Sequence, residues 1–315
     1  MNVHSLAASI KTIHWGHLDA SLKPQLTVES GDSIEIETFS GSRSDWGGNL
    51  SLLSPRHREI IETITPQLGP HILTGPIAVR DAEPGDILEV RILSIELSTD
   101  WGYNLMRPGG GILTNECNKP EQRVLNIDRK AMTTTLPWGP TIPLDPFFGV
   151  IAVAPPVEQG RISSVPPGSF GGNIDNKELR AGSCLFLPIF NPGALFSTGD
   201  GHAVQGDGEM DVTALETCLN GKFQLVLHKA SQLKSPIRAP RALTKTHYIT
   251  MGLDPDLNNA AAMASSAMLD WLIEIKGWQR QEAYVFASLA CDLHITQAVN
   301  RTKGVHGLVR RELID

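Results

Sequence analysis

The stretch Pro192-Gly193-Ala194-Leu195-Phe196-Ser197-Thr198-Gly199-Asp200-Gly201-His202-Ala203-Val204-Gln205-Gly206-Asp207-Gly208-Glu209 sets three acids, one histidine and one glutamine among five glycines. Just upstream, Gly171-Gly172-Asn173-Ile174-Asp175-Asn176 adds another acid and further amides. Apolar runs of strand length bracket both segments, so they read as tight polar loops set into β-structure. Glycine permits tight turns and close backbone approach, and carboxylate and imidazole are ligands of hard or borderline divalent metals. A pair of polar surface turns would show a similar composition. The density of histidine, glutamine and acid in one loop favours a site.

Outward from this run the chain is β-patterned. Ile34 and Ile36 alternate with Glu35 and Glu37 after the turn Glu29-Ser30-Gly31-Asp32, the two-residue period of a half-buried strand. The unit recurs as Glu83-Pro84-Gly85-Asp86 before Leu88-Glu89-Val90-Arg91-Ile92, and more loosely at Arg180–Leu187. Duplicated β modules would give such repeats, and so would hairpin grammar alone. His71–Val79 reads as strand with a turn, and Phe147–Ala154 as an apolar strand. Asp211–Leu219 and Phe223–His228 read as strands around an Asn220-Gly221 turn. Ser54–Ile64 reads as a short helix or irregular excursion, with His57 solvated between charges. From Asp254 the texture turns helical. Ala264, Met268, Trp271, Leu272 and Ile275 share one stripe, Gly277 ends it, and Gln279–Asp292 forms a second helix carrying Val285, Phe286 and Leu289. Two spans are expected, a β-rich module over 1–150 and a β-rich module over 151–315 with the central motif and the helices, packed as one unit.

The bulk numbers bound the function. The 315 residues are 41% hydrophobic and 19% charged, with 29 glycines and 21 prolines, a soluble, turn-rich composition. A net charge of −7 argues against nucleic acid or an anionic membrane surface as partner. No run approaches the roughly 18 apolar residues of a bilayer span, and Met1–Lys11 does not read as a secretory signal. Cys117, Cys184, Cys218 and Cys291 lack metal-type or redox-type spacing, so reduced thiols and a cytoplasmic location are expected.

Chemistry concentrates in the central run. Converging carboxylates and a neutral imidazole would hold a divalent ion, and a ligand set with one open position activates water. A spare carboxylate would then take the proton and hand it to a leaving amine. Asn173 and Gln205 are suited to orient an amide. His14-Trp15-Gly16-His17 is either a metal arm or a turn that packs Trp15. Gly109-Gly110-Gly111 reads as a rim loop, because no Gly-Lys-Ser/Thr follows it. No Gly-x-Ser-x-Gly elbow is present, and Cys184 and Cys218 sit in apolar strand contexts, as buried thiols do.

The segment Pro167–Asn176, Leu185-Phe186-Leu187-Pro188 and the long run Pro192–Glu209 resemble the acetamidase/formamidase family. Thr74-Gly75-Pro76-Ile77, Glu83-Pro84-Gly85-Asp86, Gly252–Leu257 and Asp292–Gln297 agree with it. The resemblance spans nearly the whole chain. It implies a mainly β fold of jelly-roll-like sandwich modules, possibly duplicated, with α/β additions and a C-terminal helical pair. It also implies hydrolysis of short amides, formamide or acetamide, to ammonia and a carboxylate by a metal-activated water. Carried over, Asp175, His202 and Glu209 are the metal contacts, with zinc first and calcium second. Asp207, Glu209 and Glu216 are the catalytic acids, and Asn173 and Gln205 the substrate contacts. A homo-oligomer, dimer first, is expected. The alternatives are a lactam or other small-amide hydrolase, and a non-catalytic β-sandwich that binds a small ligand.

Overall fold

Ile34 and Ile36 point into the core while Glu35 faces solvent, as the alternation requires. The computed structural model that shows this describes residues 1–42, 45 and 49–315. Among the described residues the chain is mainly β, with a nine-stranded sheet, an eleven-stranded sheet and a two-stranded pair. The first sheet runs in the order Val3–Leu6, Ser33–Glu37, Leu219–His228, Ile87–Leu97, Cys184–Pro188, Arg241–Leu243, His247–Asp254, Lys303–Arg310, Cys291–Gln297. The second is built around Phe196–Val204, which lies between Phe147–Ala152 and Leu215–Thr217 and also pairs with Ile72–Val79. Most pairings are antiparallel, as in a sandwich.

The two sheets meet face to face. Phe223 of the first packs against Phe148 and Phe196 of the second, with ring centroids 5.3 and 5.7 Å apart. One apolar cluster joins Ile34, Leu88 and Phe148 to Leu185, Phe196 and Leu225, so the core draws on both halves of the sequence. Asn220-Gly221 is not a turn. It lies inside the continuous strand Leu219–His228, paired with Glu37 and Ile36 on one side. Glycine is needed there because a Cβ would meet the Phe223 ring at 2.5 Å and the Phe148 ring at 2.7 Å.

The repeated Glu-x-Gly-Asp unit has a local cause. Asp32 accepts from the Glu29 N–H at 3.2 Å and from Asn2 at 2.7 Å. Asp86 accepts from Glu83 at 2.9 Å and from Ala230 at 2.8 Å. The strands that follow both units flank Leu219–His228, and the strand of the third copy joins Ile87–Leu97 in the same sheet.

Helix α1 spans Pro55–Thr63, α2 Leu257–Lys276 and α3 Arg280–Ala290. Asp256 caps α2 through the Asn258 and Asn259 N–H groups, at 2.8 and 3.1 Å, and left-handed Gly277 ends it. Its stripe of Ala264, Met268, Trp271 and Leu272 is buried on the His247–Asp254 and Lys303–Arg310 strands. Of the apolar residues on α3, Val285 and Leu289 are 63% and 84% exposed. Among the described residues no helix is long and apolar enough to cross a membrane, and all four cysteines are free.

His57, expected in solvent, is buried and stacked on Phe39 at 4.5 Å. Burial pushes its imidazole down to about 3 from the usual 6.5, and that of His14 down to about 4. Below pH 6.5 the unfolded chain therefore binds protons that the folded chain refuses. Stability is complete above that pH and falls with acid, by about 1.4 kcal/mol per pH unit for each histidine. Between pH 7 and pH 5, urea unfolding should show about 2 kcal/mol more loss in the wild type than in His57→Phe. Equal losses would contradict this.

Candidate active site

Strand periodicity starts the site. Asp200 and His202 lie two residues apart on Phe196–Val204, so they share a face. Glu216 lies directly opposite His202 on Leu215–Thr217, and Phe147 opposite it on the other side. The Gly199–His202 segment is therefore strand, not the loop its glycines suggested. The glycines serve close packing, since a Cβ on Gly199 would meet the Ile72 carbonyl oxygen at 2.3 Å, and one on Gly201 the Thr217 oxygen at 2.6 Å. After Val204 the chain folds back and returns Gln205 and Glu209 to the same place. Asp175 arrives from the end of Gly171–Asn173, the strand beside Phe147–Ala152.

These side chains converge on one nitrogen. His202 Nε2 lies 3.3 Å from Glu216 Oε2, 3.4 Å from Asp200 Oδ2 and 3.9 Å from Asp175 Oδ1. One ligating atom each of His202, Glu209 and Glu216 also falls within 4.8 Å of the others. His202 Nδ1 donates to Gln205 Oε1 at 2.9 Å, while Gln205 Nε2 donates to the Asp175 carbonyl at 3.0 Å. That contact puts a proton on Nδ1 and turns Nε2 toward the acids, the arrangement in which a metal-binding imidazole presents Nε2 once a cation displaces its proton. Asn300 Nδ2 donates to Asp175 Oδ2 and fixes that carboxylate.

The cluster is buried and under-satisfied. Asp175 Oδ1, His202 Nε2, Glu209 Oε2, Glu216 Oε2 and Asn173 Oδ1 are all buried without a hydrogen-bond partner among the described residues, which native proteins rarely tolerate without a reason. Burial and neighbouring acids raise the carboxyls of Glu209, Asp175 and Glu216, the last to about 7. Burial would also raise Asp200, but His71 and His202 outweigh it and hold its carboxyl below the ordinary range. Burial would lower His202, but Glu216 and Asp200 outweigh it and hold its imidazole well above the usual value. A group of acids this deep calls for positive charge at its centre. Gly149 lies beneath it, where a Cβ would come within 2.4 Å of Asp175 Oδ1 and 2.5 Å of Asp200 Oδ2.

A cavity of about 190 Å³ opens on the cluster, lined by His71, Tyr103, Asn173, Asp200, Glu209 and Glu216 among others. His71 Nδ1 bonds Ser164 Oγ at 2.8 Å, and its Nε2 lies 3.8 Å from Asp200 Oδ2.

The structure thus brings together Asp175, His202, Glu209, Glu216 and Asn173 of the expected residues. Gln205 is beside them, its amide oxygen accepting from His202 and its amide nitrogen donating to the Asp175 carbonyl. Asp207 turns away, to Lys177 at 2.8 Å and His294 at 3.0 Å. His14 bonds the His17 carbonyl at 2.6 Å and Ser197 at 3.0 Å, while Trp15 Nε1 bonds the Pro70 carbonyl at 2.7 Å. That is the turn reading of the N-terminal cluster. Sequence reasoning assigned no role to Asp200, His71, Asn300 or Gly149. The strand period would have paired Asp200 with His202, whereas the other three arrive from distant segments.

The fold and site define a mainly β sandwich whose buried acid–histidine centre is suited to a divalent cation. The chain matches the Acetamidase/Formamidase family over residues 15–161 and 156–308, and it belongs to that family. It is 29% identical to a formamidase of Methylophilus methylotrophus over 276 residues, covering 70% of this chain and 66% of that one. It is 29% identical to an acetamidase of Mycolicibacterium smegmatis over 243 residues, covering 59% and 58%. The chain thus spans less than two thirds of the length of these curated relatives. A crystal structure described as a predicted acetamidase/formamidase from the thermophile Thermoanaerobacter tengcongensis superposes with a TM-score of 0.85 at 25% identity, covering 99% of this chain and 97% of that one.

Gly149→Ala should lower stability by about 1–3 kcal/mol in urea unfolding, because the buried carboxylates have nowhere to move. Unchanged stability would mean that they do.

Proposed function

We propose that this chain hydrolyses short linear amides to ammonia and a carboxylate, with a divalent cation held by His202, Asp175, Glu209 and Asp200. The observation that supports it is the convergence of buried, unpartnered carboxylate oxygens on a histidine nitrogen whose tautomer is set for ligation. One imidazole with several carboxylates suits zinc before calcium, which prefers oxygen ligands throughout. Such an ion, when bound, polarises a carbonyl and makes water a stronger acid.

The chain's own groups supply the rest. Glu216 Oε1 is fixed by the Ala214 N–H at 3.1 Å, which leaves Oε2, 3.3 Å from His202 Nε2, as the open acceptor. We assign it to take the proton from water and return it to the leaving nitrogen. Asn173 Oδ1, buried without a partner, accepts from the substrate N–H. The cavity of about 190 Å³ has room for formamide or acetamide. Association into a homo-oligomer, dimer first, belongs to the same reading. The exposed apolar Leu293 and Ile295 on the sheet's edge strand, with Leu289 of α3, support it.

His202→Ala should abolish ammonia release and leave the circular dichroism spectrum native. Glu216→Gln should keep the cation, by elemental analysis, yet lower kcat by about 10²–10⁴-fold. Undiminished ammonia release by either variant would refute its assigned role, and insensitivity of the wild type to chelators would refute the cation. A protein that holds metal but releases no ammonia from any amide would be a binder.

A further inference from the structure

A second group of ligand-type residues lies outside the central cluster. His294 and His306 are directly opposed on the antiparallel strands Cys291–Gln297 and Lys303–Arg310, so their rings share a face, with centroids 5.2 Å apart. Asp207 is brought over them by the returning loop. The Gly208 N–H donates to the Thr296 carbonyl and the Ala298 N–H to the Gly208 carbonyl, both at 3.1 Å. One ligating atom each from Asp207, His294 and His306 lies within 4.8 Å of the others.

Two of those ligating groups lack partners. His306 is fully buried, its Nδ1 taken by Thr296 Oγ1 at 2.7 Å, and its Nε2 has no hydrogen-bond partner among the described residues. Asp207 Oδ2 is shared by Lys177 and His294, whereas buried Oδ1 has no partner among the described residues. A buried nitrogen and a buried carboxylate oxygen left open within one cluster are costly unless something partners them.

We propose that Asp207, His294 and His306 form a second metal site, separate from the central cluster, for a divalent transition ion of the zinc type. Two imidazoles and one carboxylate select such an ion over calcium or magnesium, which need more oxygen ligands. The ion clamps the loop over residues 205–209 to the C-terminal hairpin. Asp207 stands two residues from both Gln205 and Glu209, so the clamp holds in place two residues of the central site. Lys177 is the competing cation at Asp207, and its removal strengthens the site.

The test is zinc content and cobalt(II) absorption of full-length protein, stripped with chelator and dialysed against each metal alone. His294 is 42% exposed at its side chain, so His294→Gln is a surface change. Both His294→Gln and Asp207→Asn should bind one zinc equivalent fewer than the wild type. Combined with His202→Ala, His294→Gln should lose a further equivalent that His202→Ala alone retains. Lys177→Met should bind the second equivalent more tightly. Equal zinc content in the wild type, His294→Gln and Asp207→Asn would overturn the proposal whatever His202→Ala does, and so would weaker binding by Lys177→Met.

Discussion

Four carboxylates, those of Asp175, Asp200, Glu209 and Glu216, are buried around a single imidazole nitrogen, and the charge they carry constrains everything near them. Two like charges about 4 Å apart repel by about 4 kcal/mol at an effective dielectric of about 20. Several such pairs would consume a large share of the roughly 5–15 kcal/mol that holds a domain together. Protonation relieves the repulsion, and the raised Glu209 and Glu216 carboxyls and the raised His202 imidazole follow that route. A divalent cation relieves it more completely, because it also gives the unpartnered oxygens and Nε2 a common partner.

The fold spends conformational strain to make this arrangement. Asp175, Asp200 and Glu209 all adopt left-handed backbone, with φ of 51°, 58° and 45°, at a cost of order 1–3 kcal/mol each. Asp200 does so inside a strand whose glycine neighbours let flanking backbone close in. Around the acids, Gln205 fixes the His202 ring and Asn300 fixes Asp175. The hairpin that delivers Asn300 also carries His294 and His306, so the C-terminal segment secures both sides of the 205–209 loop. Absence of a side chain at Gly149 leaves the space the cluster occupies.

What was legible in the sequence was local. Ile34 and Ile36 alternate with charge, and Asp256 and Gly277 mark the ends of α2, because those signals depend on neighbours in the chain. The motif of Asp175, His202 and Glu209 was visible as dense chemistry among glycines, and the family resemblance covered the same segments. The misreadings came from ambiguity that only packing resolves. Glycines at 199, 201 and 221 look like turns, yet they permit close contact within long strands. His57 looked solvated between charges, but Phe39 provides a stacking partner 18 positions earlier in the chain, beyond any local pattern. His71 and Asn300 carry no motif and gain meaning only through Asp200 and Asp175.

The most direct measurement is anomalous diffraction at the zinc edge from crystals of the reconstituted protein. The expected result is a peak bonded to His202 Nε2 and to carboxylate oxygens of Asp175 and Glu209, above Gly149. Fully loaded crystals with no anomalous density at His202, and its Nε2 bonded instead to a protonated carboxyl, would contradict the central claim.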